Sequence, residues 1–218
     1  IKGLSASVEI LRDRWGVPHI YAKTIPDVVF AQGFIHAQER LWQMDFNRRL
    51  VAGRLSEILG SVSVSLDRWM RTLTMRRVAE SEVDLLDAES RLLLETYAAG
   101  VNACMESEPL PLEFRLLNYK LEPWMPADSL AWIKMMCWNL CVNWETEILR
   151  ARLIAKLGAE TAASLEPTVP PEWVRVIPPD VDYSCIGSAA LQRAAQSRQF
   201  IGPGGSQGIG SNNWVLSG

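Results

Sequence analysis

Residues 24–53, "TIPDVVFAQGFIHAQERLWQMDFNRRLVAG", decide the fold of this chain. Apolar residues recur there at intervals of three and four, at Phe30, Phe34, Ala37, Leu41 and Met44. That is the period of an α-helix with one buried face. Thr24 stands three residues before Asp27, the spacing of an N-terminal cap, and Gly53 is a typical helix stop. The stretch therefore predicts one long amphipathic helix that ends near Gly53.

A pair of short strands is predicted just before this helix. The segment "SVEILRDRWGVPHIYAKT", residues 7–24, has alternating and then apolar residues on both sides of "RDRWG". A turn around Asp13 to Gly16 would join the two strands. No other good strand pair is recognisable in the sequence.

Helical periodicity continues after the long helix, from about residue 64 to 106. Its core candidates are Leu86, Leu93, Tyr97, Val101 and Cys104. A further helix is predicted to start near Pro126, with an apolar stripe at Leu130, Ile133, Cys137, Leu140, Trp144 and Ile148. Cys137 and Cys141 lie four apart near this stripe, and we expect buried free thiols. The predicted architecture is a mostly helical body with one small strand pair.

The last fifty residues have a different composition. Residues 166–180 contain five prolines, which predicts an extended surface segment. Residues 199–218 carry no charge, and five of the nine residues from 202 to 210 are glycine. This composition is typical of a linker.

Overall composition excludes several classes of protein. The chain has 218 residues, is 48% hydrophobic and 22% charged, and carries a formal net charge of -3. That balance is typical of a globular domain and argues against nucleic-acid binding, which needs an excess of Lys and Arg. No apolar run approaches the roughly 20 residues of a membrane helix. The four cysteines lack the paired spacing of a zinc site.

The common catalytic motifs are also missing from the sequence. The chain has only two histidines, His19 and His36, and no GxSxG, GxxxxGK[ST], HExxH or EF-hand pattern. We therefore expect both histidines to make structural hydrogen bonds. Ser211 is the remaining candidate nucleophile, because cleavage of the Gly210–Ser211 bond would give it a free α-amine. An α-amine with a pKa of about 7.7–8.0 is a suitable general base near neutral pH.

Four segments, taken together, resemble the penicillin acylase family of N-terminal-nucleophile (Ntn) amidohydrolases. They are "VEILRDRWGVPHIYA", "AQGFIHAQERLWQMDFNRRLVAGRLSEILG", "EPWMPADSL" and "GSNNWVLSG", in the family's order along nearly the whole chain. The resemblance implies an α+β fold, an αββα sandwich in the full protein, of which this portion is mostly helical. Residues 1–184 would be the α-chain region, 185–210 a spacer peptide, and 211–218 the first strand of the β chain.

The resemblance also implies residue roles. Cleavage at Gly210–Ser211 would be autocatalytic, and Ser211 would then be the catalytic nucleophile, with Asn212 and Asn213 as weaker candidates beside it. Leu140 and Cys141 match the positions of an arginine and an aromatic lid residue of the acyl pocket; the alternative is helix core. Glu147 matches a ligand of a structural calcium ion, or else it forms an ion pair with Arg150. No cofactor is expected for catalysis.

The expected activity is hydrolysis of a linear amide (EC 3.5.1) in a penicillin-like or other N-acyl substrate. Acyl-homoserine lactones are an alternative substrate, and a non-catalytic secreted helical domain is an alternative of another class. The implied partners are a small-molecule amide and the protein's own β chain, without nucleic acid or a membrane span. A bacterial periplasmic or secreted location is implied. We expect the oxyanion donors beyond Gly218, and therefore an inactive fragment.

Overall fold

The computed structural model describes residues 3–141 and 144–165. The chain divides into two compact units, Ile1–Met136 and Cys137–Gly218. The described part of the first unit contains the strand pair and most of the helices. The described part of the second contains the end of one helix and two further helices. Within the described residues, no helix is both long and apolar enough to cross a bilayer.

The predicted strand pair is confirmed. Strand β1, Glu9–Arg12, pairs antiparallel with β2, Pro18–Tyr21, so that Glu9 lies opposite Tyr21. The carboxylate of Asp13 holds the connecting turn, because its Oδ1 accepts from the backbone N–H of Trp15 at 2.8 Å and of Val17 at 3.0 Å. Such a turn is the usual role of an Asp that hydrogen-bonds its own backbone.

The long helix α1 spans Ile25–Ala52, and both predicted ends are confirmed. The Thr24 hydroxyl accepts from the backbone N–H of Asp27 at 3.2 Å. Gly53 closes the helix in the left-handed conformation (φ 64°) and donates its N–H to the carbonyls of Arg49 and Leu50. A kink at Arg40 (φ -140°), which the sequence pattern does not predict, interrupts the helix.

The remaining described elements are helices of 4 to 20 residues. They are α2 Ser56–Leu59, a 3-10 turn Gly60–Ser63, α3 Val64–Leu73, α4 Met75–Val83, α5 Ala88–Ser107, α6 Leu112–Leu117, α7 Pro126–Leu140, α8 Trp144–Leu157 and α9 Ala159–Ser164. The helical stretch predicted over 64–106 is thus three helices. Thr74 interrupts it in the left-handed conformation (φ 59°), and Asp87 caps α5 by accepting from the Ser90 N–H at 2.9 Å.

The main core lies between α1 and α5, the most extensively packed helix pair of the described chain. Its buried members include Phe34, Ala37 and Leu41 from α1, and Ala98, Val101 and Cys104 from α5, with Phe114 and Trp124. The predicted burial of Val101 and Cys104 is confirmed, whereas Leu86, Leu93 and Tyr97 are only partly buried. Burial raises the pKa of the Cys104 thiol to about 11, so this thiol is neutral at physiological pH.

Two glycines let α1 and α5 approach at backbone distance. A Cβ added to Gly100 would lie 2.0 Å from the carbonyl oxygen of Phe30, and one added to Gly33 would lie 2.3 Å from that of Tyr97. Both distances are far below van der Waals contact. The helix crossing at the centre of the core therefore depends on the absence of a side chain at these two positions.

Replacing Gly100 with Ala is expected to destabilise the protein. Alanine is the better helix former by up to about 1 kcal/mol, so without the contact the substitution would stabilise α5. The overlap with the Phe30 carbonyl reverses the sign, and overpacking of this kind costs about 1–3 kcal/mol. Urea unfolding followed by circular dichroism measures the change. Ala99→Ser, on the exposed side of the same helix, is the control; a Gly100→Ala protein as stable as the parent would contradict the contact.

The orientation of α7 differs from the prediction. The helix buries Ala127, Ala131 and Met135, whereas Ile133 is 54% exposed and Leu140 is 71% exposed. The predicted apolar stripe therefore lies largely on the outer face, and Ala127, Ala131 and Met135 pack inward. The predicted continuation to Ile148 is also wrong, because α7 ends at Leu140 and α8 begins at Trp144.

Candidate functional site

A buried carboxylate holds the start of α7, the helix that carries the predicted acyl-site residues. Asp128 is 4% exposed and accepts from the backbone N–H of Met125 at 2.7 Å. It also pairs with the guanidinium of Arg76 from α4, and Arg48 of α1 lies 3.6 Å away. An acidic side chain here also interacts favourably with the helix dipole. Asp128 thus connects α7 to two other helices.

Further hydrogen bonds fix the segment that leads into α7. Trp124 donates its backbone N–H to the side-chain oxygen of Asn102 at 2.7 Å and accepts from the Asn102 amide at 3.0 Å. Its indole N–H donates to the Ser129 hydroxyl at 3.0 Å. One turn further on, Lys134 pairs with Glu82 of α4 at 2.6 Å. These bonds attach the segment before α7 to α5, and the first half of α7 to α4.

The predicted acyl-site residues lie at the other end of α7. Leu140 and Cys141 are both exposed, so their alternative assignment to helix core is wrong. Cys137 is exposed as well, which corrects the expected burial of both thiols in this helix. The outward orientation of the apolar stripe explains the exposure of Cys137 and Leu140, and Cys141 follows the last residue of the helix. A role for Leu140 and Cys141 in acyl binding stays a prediction.

A groove of about 580 Å³ runs along α1, α5 and α7 in the first unit. Leu93 and Leu94 of α5 and Trp132 and Ile133 of α7 give it apolar walls. A row of polar side chains from α1, at positions 32, 36, 40, 43 and 47, lies along it. No Asp or Glu side chain is among its lining residues. We refer to this feature as the α1–α5–α7 groove.

Both histidines make the structural contacts expected of them. His36, on the polar side of α1, lies with its Nδ1 2.9 Å from the Tyr97 hydroxyl, and the two rings meet edge to face. Partial burial lowers the pKa of His36 and raises that of Tyr97, so both are neutral at pH 7. His19 makes a longer contact of 3.4 Å with Asp13. Neither histidine lies within hydrogen-bond distance of a described serine.

Asp45, in the C-terminal half of α1, is the centre of a buried cluster of charged side chains. Its side chain is 1% exposed and accepts from Arg48 Nε at 2.7 Å and Arg49 Nε at 3.0 Å. The Tyr119 hydroxyl also donates to it. Burial, together with this bond to a carboxylate, raises the pKa of Tyr119, so its proton stays in place at physiological pH. Every oxygen of the buried carboxylate therefore has a partner, as a buried charge requires.

The cluster extends to the surface through Arg54, whose guanidinium bonds two carboxylates. Glu122 accepts from it at 2.6 and 2.9 Å, and Glu57 accepts at 2.7 and 2.9 Å. Glu57 also binds Arg49 at 2.6 Å. The hydrogen bonds from Arg54 lower the pKa of Glu122 to about 2. These ion pairs thus link Arg54, just after α1, to Glu122, just before α7.

The Glu122 interaction predicts a pH-dependent stability. Because the pKa of Glu122 falls from about 4.5 to about 2 on folding, its contribution is fully present above pH 4.5 and is lost as the pH falls towards 2. Glu122→Gln should therefore be less stable than the parent at pH 7, with the gap closing at low pH. Urea midpoints from pH 7 to pH 2 test this. Glu106→Gln, at an exposed carboxylate of α5, is the control, and a gap that stays constant with pH would contradict the pairing.

The described residues do not by themselves form a calcium site. Glu147 lies in α8 and is partly buried. No group of three or more His, Cys, Asp or Glu side chains in residues 3–141 and 144–165 is arranged to hold a metal ion. Calcium requires six to eight oxygen ligands, so Glu147 would need partners from elsewhere. The calcium role of Glu147 stays a prediction, and no catalytic step is assigned to a metal.

The predicted nucleophile and cleavage site lie outside the described residues. This holds for Gly210 and Ser211, for Asn212 and Asn213, and for the proposed spacer 185–210. Their roles therefore depend on sequence and on comparison with other proteins, and not on geometry.

Sequence reasoning missed the contacts of two buried acids of the first unit. Asp45 and Asp128 each contact three partners, and none of these contacts was predicted. One signal was available: "DFNRR" places an acid and two arginines at positions 45, 48 and 49 on one helical face, the spacing of i,i+3 and i,i+4 ion pairs. Their burial depends on Tyr119 and residues 122–123, which no local pattern reveals.

Comparison with known proteins identifies the class. The penicillin amidase family profile matches residues 7–218. The penicillin acylase 2 proenzyme of Pseudomonas sp. strain SE83 is 36% identical over the whole chain, which covers 29% of that relative. An acyl-homoserine lactone acylase QuiP of Pseudomonas aeruginosa is 33% identical over the whole chain, which covers 26% of it.

A solved structure agrees with these sequence relatives. A thermostable penicillin G acylase from Alcaligenes faecalis matches with a TM-score of 0.61 and 28% identity, over 79% of this chain and 98% of the solved chain. The chain therefore belongs to the penicillin amidase family, and its α+β fold is that of an Ntn-hydrolase chain. It spans less than a third of the length of the two curated relatives.

Proposed function

We propose that this chain is part of an acylase that hydrolyses a linear amide (EC 3.5.1) with Ser211 as an N-terminal nucleophile. One observation carries the proposal: the family match extends to residue 218 and so includes the Gly210–Ser211 pair. The two curated relatives cited above are both acylases, and one of them is a proenzyme, that is, a precursor. Processing at Gly210–Ser211 would provide the α-amine on which the chemistry depends.

Maturation and turnover would use the same hydroxyl. In maturation, the Ser211 Oγ attacks the Gly210 carbonyl, and the acyl group moves from nitrogen to oxygen, which frees the α-amine; water then hydrolyses the ester and releases the Ser211 hydroxyl and the Gly210 carboxylate. In turnover, that amine takes the Oγ proton as Oγ attacks the substrate amide, and returns a proton to the departing amine. Water hydrolyses the acyl-enzyme. Nucleophile and base on one residue make a histidine unnecessary.

The acyl group defines two candidate substrates. One is the side-chain amide of a penicillin-like compound, and the other is an acyl-homoserine lactone, in line with the two curated relatives. Leu140 and Cys141 are exposed at the end of α7 and carry neither a guanidinium nor an aromatic ring. If these positions line the acyl pocket, they favour an aliphatic acyl chain over a phenylacetyl group. Hydrolysis of phenylacetyl, phenoxyacetyl and fatty-acyl amides by the full-length protein distinguishes these substrates.

The remaining expectations belong to the same proposal. The α-chain region 1–184 would pair with the protein's own β chain, and Glu147 would contribute one ligand to a structural calcium ion. A periplasmic or secreted location would match a bacterial acylase, and the 218 residues alone would be inactive. A non-catalytic secreted helical domain is the alternative from another class.

Mass spectrometry of the full-length protein tests the proposal. The expected result is a new amino terminus at Ser211 in active preparations, with a second cut near the start of the spacer at about residue 185. An active protein with an intact Gly210–Ser211 bond would overturn the mechanism. An uncut protein without amidase activity would favour the non-catalytic alternative.

A further inference from the structure

We propose that Cys137 and Cys141, one turn apart at the C-terminal end of α7, form a binding site for a soft monovalent metal ion, Cu(I). Both thiols are free and exposed. Two observations support the site: the helix gives the thiols a spacing that suits a bridging ion, and the described residues provide no third ligand beside them. The site depends on α7 alone and not on the role of Ser211.

The exposure of these two thiols is unusual. A free cysteine behaves as a small apolar residue, and cysteine is among the most often buried residue types. Cys104 follows this rule, because it is 2% exposed in the core between α1 and α5. Cys137 lies instead on the outward-facing stripe of α7, and Cys141 follows the end of that helix. A small ion can therefore reach both sulfurs from the solvent.

The helix sets the separation of the two thiols. The backbone N–H of Cys141 donates to the carbonyl of Cys137 at 3.0 Å, which is the bond of one α-helical turn. Side chains four positions apart on a helix lie on the same face, with Cβ atoms about 5–6 Å apart. A disulfide needs Cβ atoms about 3.5–4.5 Å apart, so a direct S–S bond would distort the helix end. An ion between the two sulfurs spans the extra distance.

The kind and number of ligands select the ion. Thiolates are soft ligands that favour Cu(I) or Zn²⁺, whereas Mg²⁺ and Ca²⁺ prefer oxygen. Structural Zn²⁺ takes four ligands in a tetrahedron. In residues 3–141 and 144–165, however, no group of three or more His, Cys, Asp or Glu side chains is arranged around an ion. Cu(I) is satisfied by two thiolates in a linear arrangement, so it matches this pair.

Binding is a ligand exchange without oxidation or reduction. Each thiol releases one proton, and each sulfur gives an electron pair to the ion. Two thiols and one Cu(I) therefore yield a singly negative bis-thiolate complex and two protons, and copper stays Cu(I) throughout. Because protons compete with the ion for both sulfurs, the affinity should fall as the pH falls.

A competition titration with the full-length protein tests the site. Protein is added anaerobically to the coloured complex of Cu(I) with bicinchoninate, and the loss of colour measures the Cu(I) transferred to the protein. We expect the parent to take up one more Cu(I) per molecule than the double variant Cys137→Ser/Cys141→Ser. Each single variant should bind that ion more than about 100-fold more weakly, because loss of a ligand costs more than loss of an outer-shell partner.

A matched variant keeps the number of thiols and changes only their spacing. Cys141→Ser combined with Asn139→Cys places the two thiols two positions apart, where side chains on a helix do not face each other. This variant should bind Cu(I) as weakly as Cys141→Ser alone. Serine at the two exposed positions should leave the Tm nearly unchanged, so a loss of binding reports the loss of a ligand.

Several outcomes would overturn the assignment. Equal Cu(I) uptake by the parent and the double variant would do so, as would tight binding by the variant with shifted thiols. A disulfide between Cys137 and Cys141 in protein purified without reductant would contradict the spacing. Alkylation gives a second readout: one equivalent of Cu(I) should protect both thiols from iodoacetamide, and equal labelling with and without the ion would contradict the site. Neither measurement requires cleavage or turnover, so failure here leaves the proposed function standing, and the reverse also holds.

Discussion

Ser211→Ala in the full-length protein is expected to remain uncut at Gly210–Ser211 and to lose amidase activity by about 10⁶-fold. Removal of a catalytic nucleophile has an effect of that order, because the remaining groups cannot form the covalent intermediate. The same hydroxyl is proposed to cut the precursor, so processing and activity should be lost together. Gel mobility, intact mass and hydrolysis of the preferred amide measure the two effects.

Two variants separate the nucleophile from its surroundings. Ser211→Thr retains a hydroxyl and would retain the α-amine after cleavage, so partial processing and partial activity are expected. Ser206→Ala removes a hydroxyl from the same glycine-rich stretch and should change neither. Normal activity in Ser211→Ala would reject Ser211 as the nucleophile and, with it, the N-terminal-amine mechanism.

Asp45→Asn is expected to cause a large loss of stability. The amide has nearly the same shape but no charge, so Arg48 and Arg49 lose the buried carboxylate that both share. Breaking a buried ion pair by removing one partner costs about 3–5 kcal/mol, since the other charge stays buried. For a chain of this size, that corresponds to a fall in Tm of about 6–20 °C.

Chemical denaturation provides the measurement, and Asp84→Asn provides a matched control. The Asp84 side chain is 85% exposed and lies 3.7 Å from Arg91, so the same chemical change there should cost less than about 0.5 kcal/mol. If both variants lose the same small amount, the Asp45 cluster does not stabilise the protein as described.

Local signals account for the parts of the fold that the sequence predicted correctly. Thr24 and Gly53 mark the ends of α1 through bonds to their own helix, and the Asp13 turn forms within five residues. The orientation of α7 could not be read in this way. Its apolar stripe shows a helical period, but which face points inward is decided by Asp128, Arg76 and Lys134, whose bonds span 52 residues.

The residues of the candidate site also fall into two groups, those with a local sequence signal and those without one. Ser211 could be proposed because its α-amine chemistry and the "GSNNWVLSG" motif are local properties of the sequence. The exposure of Leu140 and Cys141 could not, because it depends on how α7 packs along its whole length. The α1–α5–α7 groove combines residues from three helices, and two residues of its apolar walls, Leu93 and Ile133, were predicted as core. An apolar stripe has the same helical period whether it faces the core or the solvent, so the period alone does not show which face is buried.

The Asp45 cluster also sets an order of events during synthesis. Arg48 and Arg49 leave the ribosome with Asp45, but Tyr119 and the Glu122 carbonyl come 74 residues later. Until then, Arg48 and Arg49 pair with the Asp45 carboxylate, but the segment that buries these side chains has not yet been made. A nascent chain that ends before Glu122 therefore cannot close this part of the core, and α1 would stay open to water and to chaperones while about half of the 218 residues are already made.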